Sequence, residues 1–143
     1  MPSPPSPRPI EAYPSRTTAD IRYADLDRQG HVNNAVFSTF SEIGRVAFLY
    51  DPDRPLAPEN ASFVIARIEI DFHAELHWPG QVEIGTGVVE IGRSSCRFAQ
   101  GIFSRGSLAA SVAGVLVMMD AGTRRSMPMP PATRTAFEAL MLR

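Results

Sequence analysis

Cysteine occurs once in the 143-residue chain, at Cys96. A single thiol excludes an internal disulfide and a cysteine metal cluster. It fits a reducing compartment, with Cys96 as a small buried strand residue. Net charge is nearly absent too. A formal value of −1 gives no electrostatic reason to expect nucleic acid or an anionic membrane as partner. No apolar run reaches the roughly 18 residues needed to span a bilayer. The opening segment, MPSPPSPRPIEAYPSR, lacks the apolar stretch of a secretory signal. Its proline and serine content predicts an extended, poorly ordered arm. The expected organisation is therefore a flexible arm over 1–16 and one domain over 17–143, in a cytoplasmic protein. What is present suits a globular chain with a real core: 15.6 kDa, 44% hydrophobic and 20% charged residues.

Periodicity divides the domain. Thr17–Tyr23 reads as a short strand. Over residues 35–50, Val36, Phe40, Ile43, Ala47 and Tyr50 recur at helical spacing, with Phe37 and Gly44 flanking that stripe. Asn33 or Asn34 is suited to cap the helix, and Asp51-Pro52 ends it. From Phe63 the period becomes two. Val64, Ala66, Ile68, Ile70, Phe72, Ala74 and Leu76 fall on one face, and Arg67, Glu69, Asp71, His73 and Glu75 on the other. Trp78-Pro79-Gly80 turns the chain. Three further strands follow, QVEIGTGVVEI, CRFAQGIFS and LAASVAGVLVMMD, joined by GRSS and RGS turns. Gly85 and Gly87 leave room for a bulge or a close approach. Residues 132–142 suggest a short terminal helix. The expected class is α+β: an antiparallel sheet with one face covered by one long helix. Ala109, Ala110, Ala113 and Gly114 are small enough to let the sheet curl. Its open edges favour dimerisation.

Chemistry concentrates in RYADLDRQGHVNNAVF, residues 22–37. DLDRQG matches the start of a calcium loop, but that loop needs a glutamate at its twelfth position, where this chain has Val36. Asp25, Asp27 and His31 show no recognised spacing for another metal. Asp25 reads as a turn residue. The set Asp27, Gly30, His31, Asn33 and Asn34 exceeds what one helix cap requires.

DLDRQGHVNNAVFSTFSEIGR resembles the signature of hot-dog-fold thioesterases of the 4-hydroxybenzoyl-CoA thioesterase type. Its D-x-D-x-x-G-H-V-N-N form is also similar to that of the plant acyl-ACP thioesterases. The resemblance implies a hot-dog fold, a long central helix wrapped by a curved antiparallel sheet. It implies hydrolysis of an acyl-CoA, or of an acyl-ACP, by a homodimer or homotetramer with no metal or other cofactor. A catalytically idle acyl-binding domain is the alternative outside the enzymes. By the same resemblance Asp27 is the catalytic carboxylate, as nucleophile or general base, and the backbone N–H of Asn34 is the oxyanion donor. His31 falls at the plant histidine, and Gln29 stands where those relatives carry asparagine. Glu75 falls near their catalytic glutamate, although the strand alternation turns it away from the apolar face. Asn33, Arg93, Ser94 and Ser95 are candidates for binding substrate or CoA, with Arg124 and Arg125 as further candidate cations. Phe37, Phe40, Phe98, Met118 and Met119 are candidates for an acyl tunnel or plain core.

Overall fold

A computed structural model describes residues 5–143. Five strands form one sheet: β1 (Ser15–Ile21), β2 (Ala61–Phe72), β3 (Gly80–Ile91), β4 (Ser95–Ser104) and β5 (Ser107–Asp120). Their order is β1-β3-β4-β5-β2, and every neighbouring pair is antiparallel. Helix α1 (Asn34–Leu49) lies on one face, and a short α2 (Pro131–Glu138) starts on Pro131, where a missing N–H costs nothing. This is the hot-dog arrangement that the motif implied. No helix among the described residues is long and apolar enough to cross a membrane.

The side of α1 that meets the sheet differs from the one expected. Phe37, Phe40, Ser41, Gly44 and Phe48 are buried, whereas Ile43 and Tyr50 are exposed. Gly44 explains the rotation. A Cβ there would lie 2.5 Å from Ile84 Cγ2 and 2.7 Å from Gln100 Nε2, so the helix backbone rests almost on the strands. A polar network fixes this contact. Ser41 Oγ donates to Gln100 Oε1 (2.6 Å), and Gln100 Nε2 donates to the Ser41 carbonyl and to Thr86 Oγ1 (3.0 Å each). Each of these three buried side chains finds a partner, which is the condition for placing them there. Arg45 donates to Ser41 Oγ and lies over the Phe98 ring.

The other face is covered by the chain ends. Residues 10–12 form a single 3-10 turn, and Tyr13 is buried against Gly85, Gly101 and Phe103. Gly85 and Gly87 are thus sites of close approach, the second against Pro14 and Leu142. The bulge of β3 falls after Val88. This corrects the expected arm over 1–16. Its later residues belong to the fold, with β1 starting at Ser15, because Tyr13 fills the space the glycines leave; its first four lie outside the described residues.

Strand β2 carries the second correction. Its alternation is broken by a bulge at Ala66, so Phe63 and Ile65 share a face with Ile68, Ile70 and Phe72, and Val64 does not. The strand also stops at Phe72. His73 and Ala74 both donate their N–H to the Ala109 carbonyl (2.8 and 3.1 Å), which bends the chain out of register. Helix α1 covers the far strands and leaves β2 as a bare edge, with Ile65, Ile68 and Phe72 exposed.

Candidate functional site

The segment between β1 and α1 is tied down at both ends. Asp25 is buried, and its carboxylate accepts from the Arg22 side chain (2.7 and 3.0 Å) and the Arg22 N–H (2.7 Å). Burial pushes the Asp25 carboxyl up, yet the Arg22 hydrogen bonds and charge together outweigh it and hold the group below its ordinary range. The Asp25 carbonyl accepts from Asn33 N (2.9 Å), and Leu26 bridges Val32. Asp25 is the turn-forming aspartate that its position suggested.

Asp27 is held differently. Its Oδ1 accepts from Gln29 N (2.8 Å) and His31 N (3.3 Å), while its own backbone bonds to His31 and Gly30. Gly30, at φ +83°, provides the left-handed residue this turn needs. Asp27 Oδ2 has no hydrogen-bond partner among the described residues. One oxygen is pinned and the other is available.

The helix start follows directly. Asn33 is the N-cap: its side chain accepts from Ala35 N (2.9 Å) and its carbonyl from Val36 N (2.9 Å). The N–H of Asn34, the first helical residue, has no acceptor among the described residues. Such groups carry partial positive charge at a helix amino end. The Asn33 side chain, expected to bind substrate, is committed to the cap.

Val32 N donates to the Leu76 carbonyl (2.9 Å), which sews this turn to the β2–β3 connection. The bend at His73–Ala74 then brings Glu75 round to His31, with Nε2–Oε2 at 3.2 Å. Glu75 therefore reaches the site within one chain, a placement that uninterrupted alternation does not allow. A cleft of about 350 Å³ is lined by Asp27, His31, Asn34 and Glu75, together with Gln29, Phe37 and Phe72. Phe37 and Phe72 meet edge to face at 5.1 Å and form an apolar wall. Four separately placed candidates thus meet in one cavity.

The remaining candidates do not. Arg93 and Ser94 lie in the β3–β4 turn and Ser95 opens β4 opposite Val117, whereas the cleft adjoins Ala110 at the other end of β5. Seven residues of strand separate them, about 23 Å at 3.3 Å per residue. Arg124 and Arg125 follow β5 at that same distant end. Phe40, Phe98 and Met118 are enclosed in the core, so of the tunnel candidates Phe37 alone lines the cleft. Phe72, which lines the cleft, escaped the sequence reading. Phe72 looked like any other inward strand residue, and nothing near His73 and Ala74 signals that the chain leaves the sheet there.

Solved structures place this geometry among relatives. A thioesterase from Thermus thermophilus, in complex with coenzyme A and Zn, is 35% identical, with 92% of this chain and 96% of that one covered at a TM-score of 0.80. The PA5185 protein from Pseudomonas aeruginosa is 25% identical over 95% and 98%, with a TM-score of 0.82. A predicted thioesterase from Bacillus stearothermophilus is 26% identical over 90% and 96%, with a TM-score of 0.80. No curated protein matches the sequence. The thioesterase-like superfamily matches residues 21–137, a span that holds the aspartate turn, the helix start and the whole of strands β2 to β5, with β1 outside it up to Asp20. By that match and by its shared architecture, the chain belongs to the thioesterase-like superfamily.

Proposed function

We propose that the protein is an acyl-CoA thioesterase, cleaving the thioester to a free acid and CoA at the Asp27 cleft. The observation that carries this reading is the pairing, in one cavity, of a half-pinned carboxylate with an unsatisfied helix-start N–H. The carbonyl oxygen of the thioester accepts from Asn34 N–H, a fixed donor that needs no reorganisation as negative charge develops. Asp27 Oδ2 then acts on the carbonyl carbon in one of two ways. It attacks directly, forming an anhydride and expelling the thiolate, or it takes a proton from a water that attacks. In the first route a water then hydrolyses the anhydride, releasing the acid and restoring Asp27. The His31–Glu75 pair lines the same cleft and provides a base for that water.

Coenzyme A as carrier is supported by the Thermus thermophilus relative, which binds it. Arg93, Ser94, Ser95, Arg124 and Arg125 are suited to the CoA phosphates, since guanidinium geometry matches phosphate oxygens. Their distance from the cleft in one chain fits a homodimer or homotetramer in which the turn of one copy serves the cleft of another. The bare β2 edge supports the same assembly.

The test is release of free thiol from a panel of acyl-CoAs, short, long and aromatic, beside matched acyl-ACPs. Asp27→Asn keeps shape and the loop hydrogen bonds while removing the charge. It should lower kcat by roughly 10²–10⁴-fold with little change in melting temperature. Near-full turnover in that variant removes the catalytic assignment, and no turnover on any substrate leaves an acyl-binding domain.

A further inference from the structure

His31 and Glu75 have a third neighbour, His77, that the hydrolytic reading does not use. Glu75 Oε2 lies 3.2 Å from His31 Nε2 and 3.8 Å from His77 Nε2, and the three ligand atoms all lie within 4.8 Å of one another. The two imidazoles stand nearly perpendicular with ring centres 5.2 Å apart. Two imidazoles and one carboxylate are the ligands of an open tetrahedral zinc site, with bonds of about 2.0–2.1 Å. A tetrahedron with such bonds has edges of about 3.3 Å. The two contacts to Glu75 bracket that length. His77, 63% exposed, is free to rotate and close the third edge. Imidazole ligands favour zinc over calcium or magnesium, which seek oxygen.

We propose that His31, Glu75 and His77 form a reversible Zn²⁺ site at the mouth of the Asp27 cleft, and that zinc bound there inhibits the enzyme. Two consequences follow from the placement. Zinc takes up the side chains of His31 and Glu75, which removes the base they provide. It also brings a doubly charged ion into the cavity that holds Asp27, where it competes for the carboxylate's reach to substrate. The binding site stands on the side-chain geometry alone, whereas its inhibitory effect rests on the hydrolytic reading above.

Binding is measured first, on the full chain freed of metal with EDTA. Calorimetric titration with ZnCl₂ should show one ion per chain, MgCl₂ should show none, and CoCl₂ should give the visible absorption of a four-coordinate ion. His77→Ala removes an exposed ligand outside the catalytic set. Its zinc affinity should fall by at least about 100-fold, more than the roughly 10–100-fold that loss of a ligand's outer partner costs. Zinc should suppress acyl-CoA hydrolysis by the natural chain, EDTA should restore it, and His77→Ala should keep basal turnover while escaping suppression. The proposal is overturned if no saturable zinc binding occurs, if both His77→Ala and Glu75→Gln bind as tightly as the natural chain, or if zinc binds without slowing hydrolysis. If no acyl-CoA is hydrolysed at all, the hydrolytic reading falls, and the isotherms still decide the site.

Discussion

Asp25 and Asp27 stand two residues apart, yet their surroundings are opposite. Asp25 is enclosed and saturated by Arg22; Asp27 keeps one oxygen open to a cavity. The folded-state pKa of Asp25 lies below its ordinary value of 3.8. Its pair with Arg22 therefore contributes stability above that value and loses it as pH falls through the lower, folded value. Thermal melts across this acid range should show the natural chain losing stability, and Asp25→Asn should lose less, having started lower. At neutral pH the variant should melt on the order of 2–5 °C below the natural chain, because it weakens the hydrogen bonds of a buried carboxylate whose partner Arg22 is exposed. Equal melting temperatures at both pH values would show that the pair contributes nothing. Cys96 gives a second residue-scale test. Burial pushes its thiol up to about 12, so little thiolate forms near pH 8 and the group is inert when folded. Iodoacetamide should label it only after denaturant is added; prompt labelling of the native protein would contradict its burial.

At the scale of elements, the fold rests on a few close approaches between backbones. Gly44→Ala places a methyl against Ile84 and Gln100, where a rigid strand on one side and a hydrogen-bonded amide on the other have little room to yield. Overpacking of this kind should cost about 1–3 kcal/mol, read as a shift in the midpoint of urea unfolding. The amino-terminal segment makes a sharper comparison. Deletion through Pro9 removes no buried side chain among the described residues and should leave the midpoint unchanged. Deletion through Pro14 removes Tyr13 and should cost about 3 kcal/mol or more, the usual range for an emptied aromatic site. Equal effects from both deletions would mean that Tyr13 does not anchor the sheet's outer face.

These elements also mark the limits of what local pattern reveals. The helix, the long strands and their tight turns were legible because helical and two-residue periods are local properties. The aspartate turn was legible because Asp27, Gly30, His31 and the asparagines sit together in the chain. The buried side of α1 was misjudged because it is set by a glycine and a serine, which carry no hydrophobic signal. The bulge at Ala66 is equally silent, since alanine fits either face of a strand. Glu75 reaches the cleft only through a bend created by two N–H groups sharing the Ala109 carbonyl. No residue near Glu75 in sequence announces that bond.

For the whole molecule the unresolved balance is apolar surface against solvent. The edge strand β2 runs for 12 residues with one side unpaired, and Ile65, Ile68 and Phe72 on it are exposed. Ile43, Val46 and Tyr50 of α1 are exposed as well. A long, apolar, unprotected edge is a pairing surface, and a natural protein either blunts it or uses it. Proline is absent from this edge, the bulge at Ala66 interrupts it only once, and its Arg67, Glu69 and Asp71 project from the face opposite the isoleucines, so the apolar face carries no charge of its own. Use by a second copy is then the expected outcome, and light scattering at micromolar concentration should return at least twice 15.6 kDa. Ile68→Glu puts a charge in the middle of that surface while leaving the cleft-lining residues intact. It should shift the protein toward monomer. If the distant β3–β4 turn serves the cleft of another copy, the same variant should raise KM for acyl-CoA in parallel with dissociation. A natural chain that is monomeric and fully active would show that one copy holds the whole site. A dimer that survives Ile68→Glu with unchanged KM would move the interface elsewhere on the molecule.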